Sequence, residues 1–167
     1  MPPNQIRTAR LALRPLVLAD AGAIARLIGA LEVSRWLSVV PHPYSVGDAQ
    51  SFIRDFAANW RFGIEIDGAI GGVISIEKQL GYWLGRKYWA QGYMSEAAQA
   101  VVNAWFLQNE RTLGAGYFVE NARSGAILRK IGFSADKIIT RHSLARGCDV
   151  QCQQMTLRRA DWLARDA

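Results

Sequence analysis

Apolar and polar residues follow two rhythms along this chain, and the changes between them outline its elements. Thr8–Arg14 alternates as Arg10, Leu11, Ala12, Leu13, Arg14 and stops at Pro15, the period of a strand. Asp20 then caps a predicted helix through Ala30, with Ile24, Leu27, Ile28 and Leu31 at helical spacing. Pro41-His42-Pro43-Tyr44 reads as a rigid loop. Ser45 or Asp48 opens a second amphipathic helix through about Trp60, burying Phe52, Ile53 and Phe56.

The period then shortens. Phe62–Ile66 and Ala69–Ile76 flank Asp67-Gly68, a strong hairpin signal, and Leu80–Gly85 is a third, aromatic-rich run. A helix of about 15 residues is predicted after Gly92, ending near Asn109. Gly116–Val119 is a short strand, and Asn121–Ile131 a helix. Gly132 is its left-handed C-terminal cap, with Phe133 packing back on Leu128 or Ile127. Two strands, about Lys137–Ser143 and Val150–Arg158, close the chain. The order predicts an α+β domain, a mixed sheet with helices on its faces. No repeat or linker divides it, so residues 1–167 read as a single domain.

Composition narrows the class. Hydrophobic residues make up 50 % and charged residues 20 %, which excludes disorder. No apolar run is long enough to span a membrane, and the N-terminus lacks the order of a signal peptide, so a cytoplasmic address is expected. Cys148 and Cys152 give neither a disulfide framework nor zinc spacing, and no metal is expected. Of the net charge of +6, residues 81–133 carry the largest share, +3. That suits an anionic small partner but is too sparse for a nucleic-acid stripe.

The join between Leu80–Gly85 and the helix after Gly92 carries the chemistry. A strand ends, a short loop with Ala90 and Gly92 turns, and a helix begins. Small residues let backbone N–H groups approach a ligand. The first N–H groups of a helix lack internal partners and carry partial positive charge, a cradle for phosphate or pyrophosphate. Arg86 and Lys87 add full charges beside it. Neither a Walker loop nor a Rossmann fingerprint is present. An ordinary glycine turn is the structural alternative.

Lys87-x-x-Ala90-x-Gly92 resembles the [R/Q]-x-x-G-x-[G/A] signature of the GNAT superfamily of N-acetyltransferases. Gly81-Tyr82-Trp83-Leu84, Gln91-Gly92-Tyr93-Met94-Ser95-Glu96-Ala97 and Asn121-x-x-Ser124 resemble its RimJ/RimL-like branch. So do the flanks Arg10-Leu-x-Leu-Arg14 and Lys130-Ile-Gly-Phe133. Two positions depart from the signature: Lys87 lacks the planar fork of Arg, and Ala90 stands where glycine is usual. A positive φ at Ala90 would cost on the order of 1–2 kcal/mol, so a negative φ is expected there.

The resemblance implies a mostly antiparallel sheet with a splayed parallel pair, here Leu80–Gly85 and Gly116–Val119. It implies acetyl-CoA as co-substrate, its pantetheine arm lying along Trp83, Leu84 and Gly85. The pyrophosphate would rest on Lys87, Ala90, Gln91, Gly92, Tyr93 and Met94. Asn121 is implied on the pantetheine side, and also suits a helix N-cap.

Attack of a neutral amine on a thioester needs a proton acceptor, an oxyanion donor and an acid for the thiolate. A backbone N–H near Leu84 is the expected oxyanion donor. Many family members carry a Tyr acid seven residues after the Asn, where this chain has Leu128. The branch's serine falls on Ser124, the expected acid or else a helix hydroxyl. His142 stands where a base is implied, with Glu77, Glu120 and water as alternatives. Trp36, Tyr44 and Trp83 are candidates for the acceptor pocket. Trp60, Trp105 and Trp162 are assigned to the core.

Freeing a lysine ammonium at pH 7 costs about 4–5 kcal/mol, and an α-amino group only about 1 kcal/mol. A weak base therefore favours a protein or peptide N-terminus, acetylated in a ternary complex by a monomer or homodimer. A small-molecule amine, or a silent acyl-CoA-binding module, is the alternative.

Overall fold

The computed structural model describes residues 1–55 and 60–165. Among these residues eight strands form one sheet: β1 (Ile6–Arg7), β2 (Leu11–Arg14), β3 (Arg61–Ile66), β4 (Ala69–Ile76), β5 (Leu80–Leu84), β6 (Leu113–Phe118), β7 (Ser134–Ser143) and β8 (Cys148–Leu157). Their spatial order is β1-β2-β3-β4-β5-β6-β8-β7. Every neighbouring pair is antiparallel except β5–β6. This is the α+β sheet with a parallel pair that the sequence implied.

Alternation along the strands divides the apolar side chains between two faces. On one face, α4 (Tyr93–Phe106) and α5 (Ala122–Ile131) cover a core that includes Ile64, Ile74, Val101, Phe106, Leu128 and Met155. The other face carries α1 (Ala21–Ile28), α2 (Leu31–Ser34) and α3 (Val46–Arg54), packed through Ile24, Ile28, Val33, Ala49 and Ile70. Asp67 and Gly68 take φ of 50° and 79°, as the hairpin signal requires. Gly132, at φ 108°, ends α5, and the Phe133 N–H returns to the Leu128 carbonyl.

Several boundaries differ from expectation. The strand predicted over Thr8–Arg14 covers only Leu11–Arg14; Thr8 and Arg10 lie in the turn between β1 and β2 and bind Glu96. The first helix stops at Ile28, and Leu31 opens a separate turn in which it is 46 % exposed. The next helix ends at Arg54, with Phe52 and Ile53 half-buried and Phe56 outside the described residues. The predicted final strand is followed by α6 (Arg159–Ala164), a helix too short to show a period. Its Trp162 stacks on Phe106 at 5.3 Å and donates to Asn103 Oδ1 at 2.8 Å, a core role as assigned. Trp105 is buried, and Trp60 packs half-buried against the same core. Among the described residues no helix is long and apolar enough to cross a membrane, and none of their acidic, His and Cys side chains cluster as a metal site.

Candidate active site

The parallel contact between β5 and β6 is a single residue pair, Leu80 with Ala115. β5 runs on to Leu84 and β6 to Phe118 without pairing again, so the strands part toward their C-terminal ends. The Gly85 N–H donates to the Gly71 carbonyl, and alternation along the antiparallel β4–β5 ladder turns Trp83 the same way. The peptide groups of Tyr82 and Leu84 therefore face the gap. Of the three residues expected along the pantetheine, only Leu84 turns its main chain there. Gly85 closes the strand: its carbonyl accepts from Tyr88, and a Cβ would lie 2.6 Å from Leu27 of α1. Trp83 points its ring at the α1–α3 face.

Beyond Gly85 the chain makes one 3-10 turn, Arg86–Tyr88, before α4 begins. Gly92 caps α4 at φ 81°. The first helical bond beyond it runs from the Glu96 N–H to the Gly92 carbonyl, so the N–H groups of Tyr93, Met94 and Ser95 precede the ladder. Ala90 stands at φ 58°, which corrects the expected negative value. Contacts on both sides hold it there. Trp89 Nε1 donates to the Leu84 carbonyl at 2.8 Å, and the Gln91 carbonyl accepts from Arg10 Nη1 at 2.8 Å. Relieving the strain is worth about 1–2 kcal/mol, less the ~0.4–1 kcal/mol that glycine adds to unfolded-state entropy. Ala90→Gly is thus expected to raise the melting midpoint by roughly 2–4 °C, measured calorimetrically.

Arg10 braces this loop, a role its place in the sequence resemblance did not reveal. Its Nε bonds Glu96 at 2.8 Å, and its guanidinium lies 4.4 Å over the Tyr93 ring. Burial pushes the Glu96 carboxyl toward a higher pKa, but hydrogen bonds from Thr8 and Arg10 outweigh it and hold the carboxyl below its usual range. The clamp is thus intact above the usual carboxylate range and is lost only as pH falls through the lowered pKa of Glu96. A cavity of about 360 Å³ opens beside the loop, with Arg10, Gly92, Ser95 and Lys130 in its wall. Lys87 and Gln91 are exposed, and Arg86 lies 4.8 Å over the Trp89 ring.

Across the gap, Asn121 caps α5 by accepting from the Ser124 N–H at 3.3 Å. The Ser124 hydroxyl lies 3.0 Å from that of Tyr82. Asn121, Ser124, Leu84 and the Ala90–Met94 loop thus frame one opening. Trp36 packs with Phe118, Val150 and Cys152, and Tyr44 and Trp83 with the α1–α3 cluster, all half-buried on the opposite face from α5.

His142 is not brought into this group. It lies on the edge strand β7, opposite Asp149, whose carboxylate it meets at 2.9 Å. Strand alternation places it on the face away from Trp36, and it is 56 % exposed. Glu77 lies beyond the closed end of the gap, bound to Arg61. Glu120 stands at the open end of β6, 3.2 Å from Arg146, whose guanidinium covers Trp36 and Phe118.

A strand gap beside an amide-lined turn defines an acyl-CoA-binding fold, and comparison agrees. The family model "Acetyltransferase (GNAT) domain" matches residues 10–134, and the chain belongs to that family. It is an acetyl-CoA-dependent N-acetyltransferase. The N-acetyltransferase p20 of Bacillus licheniformis is 27 % identical over 173 residues, 93 % of this chain and 96 % of p20. RimL, a ribosomal alpha-N-protein acetyltransferase solved with coenzyme A, superposes with a TM-score of 0.79 at 18 % identity, covering 92 % of this chain and 97 % of its own. The microcin self-immunity acetyltransferase MccE, solved with acetyl-CoA and AMP, gives 0.79 at 18 % identity over 93 % and 97 %.

Proposed function

We propose that this enzyme acetylates a primary amine of low basicity, foremost the N-terminal α-amine of a protein or peptide, by direct attack within a ternary complex. One observation carries the reading: Glu120, the carboxylate at the open end of the gap, is already paired with Arg146. A carboxylate oxygen already engaged by a guanidinium has less acceptor capacity to offer an incoming amine. The acceptor must therefore arrive almost neutral, which an α-amine does at about 1 kcal/mol and a lysine only at about 4–5 kcal/mol.

In the reaction the amine nitrogen bonds to the thioester carbonyl carbon, and the carbon–sulfur bond breaks. The nitrogen's proton leaves to water, Glu120 being engaged by Arg146. The gap-facing Leu84 N–H supports the carbonyl oxygen, and Ser124 gives the sulfur a proton and recovers one from solvent. Asn121 and the main chain from Ala90 to Met94 hold the pantetheine and pyrophosphate, with Lys87 beside them. Trp36, Tyr44 and Trp83 shape the acceptor side.

Free-thiol release tests the acceptor class. Peptides with free N-termini should turn over at least tenfold faster than the same peptides blocked at the N-terminus but carrying lysine. Preference for small amines over both would move the assignment to a metabolite or antibiotic. Binding of acetyl-CoA with no turnover on any amine would make the protein a silent binding module. Double-reciprocal plots should intersect, whereas parallel lines with a trapped acetyl-enzyme would exclude direct transfer.

His142→Ala is expected to leave kcat within about twofold and its pH profile unshifted, because the imidazole lies on the edge strand. Loss of the neutral limb would restore His142 as the base. A cytoplasmic enzyme, monomeric or homodimeric, completes the reading; fractionation and light scattering test these two points.

A further inference from the structure

Tyr82 reaches Ser124 from the floor of the gap. It stands on β5, two residues before Leu84, and its ring joins the core beneath α4 and α5. Its hydroxyl meets two oxygens of one residue, the Ser124 Oγ at 3.0 Å and the Ser124 carbonyl at 3.3 Å. β5 and the first turn of α5 are thus joined across the splay by a pair of hydroxyls. Leu128, where the family's tyrosine would stand, is 1 % exposed and committed to the core. A phenol approaching from the sheet supplies what the helix does not.

We propose that Tyr82 is a positioning residue for acetyl transfer, its phenol fixing the Ser124 hydroxyl and leaving that hydroxyl's own proton free for the departing sulfur. The inference rests on Ser124 being the acid. The phenol has one proton to give. Shared between the Ser124 carbonyl, which can only accept, and the nearer Oγ, it ties the phenol to both oxygens; its donation to Oγ orients the serine oxygen, polarises the serine O–H and leaves that proton directed elsewhere. The opposite arrangement, phenol to carbonyl and serine to phenol, would engage the serine proton in the resting enzyme, and Tyr82→Phe separates the two because it would then release that proton and leave kcat undiminished. Burial pushes the Tyr82 phenol up to about 12, so it remains a donor throughout the enzyme's working range. No proton leaves Tyr82 in the reaction.

The test is a double-mutant cycle of Tyr82→Phe and Ser124→Ala, read by kcat, acetyl-CoA KM and the alkaline limb of the kcat–pH profile. Tyr82→Phe should lower kcat about tenfold with the acetyl-CoA KM unchanged and should shift the alkaline limb. The double variant should be no slower than Ser124→Ala alone. A wild-type kcat in Tyr82→Phe, or multiplicative losses in the double variant, would overturn the proposal while leaving Ser124 as the acid. An unimpaired Ser124→Ala would overturn both. Incorporating 3-fluorotyrosine at position 82 keeps the ring's packing while making the phenol a stronger donor. It should change kcat and not KM, and an unchanged kcat there also contradicts the assignment.

Discussion

Gly92→Val is expected to weaken acetyl-CoA binding by 100-fold or more while costing the fold only about 1–2 kcal/mol. Two independent effects produce the loss. The residue caps α4 at φ 81° and ψ 0°, a backbone state that a β-branched side chain opposes. A Cβ would also lie 3.2 Å from Arg10 Nη2, crowding the side chain that holds the Gln91 carbonyl and Glu96. The loop would relax by turning its peptide planes, and the N–H groups ahead of the α4 ladder would no longer converge on one anion. The α4 helix itself, anchored by Ala97, Ala98, Val101 and Phe106 in the core, should survive. Titration calorimetry with acetyl-CoA, paired with a thermal melt, separates the two costs. Unaltered affinity would show that the turn does not bind the co-substrate.

Ser124→Ala should reduce kcat by about 10²-fold or more, the range of a lost general acid, with little change in acetyl-CoA affinity. The separation follows from the geometry. The Ser124 N–H, not its hydroxyl, takes the Asn121 cap, so α5 keeps its start when the hydroxyl is removed. What disappears is the hydroxyl facing Tyr82 and the gap. Stability should fall by about 1 kcal/mol, one net hydrogen bond. Single-turnover thiol release measures the chemical step directly. An unchanged rate would make Ser124 a helix hydroxyl and move the acid to solvent.

Much of the scaffold was legible because local chemistry and tertiary packing agreed. Asp67-Gly68 demanded a tight hairpin, and Gly132 a left-handed cap; both take positive φ. The loop before α4 was visible from its small residues at a strand–helix junction. Ala90 was misread because propensity alone forbids what Trp89 and Arg10 enforce from either side. Which peptide groups face the gap depends on ladder register, and no side-chain pattern records it. Arg10 acts on Glu96, 86 residues away, and Tyr82 on Ser124, 42 residues away. Such pairs form only when the sheet is assembled. His142 was chosen by its position after the Gly-Phe pair, yet strand order sets it at the sheet's edge, two strands beyond β5's partner.

The central claim is that main-chain amides at the start of α4, with the β5–β6 gap, deliver the acetyl group. A crystal structure of the protein with acetyl-CoA measures it most directly. The account predicts the pyrophosphate on the N–H groups from Ala90 to Met94, the pantetheine between β5 and β6, and the thioester beside the Leu84 N–H and the Ser124 hydroxyl. A pyrophosphate held elsewhere, with the two strands closed on each other's side chains, would contradict it.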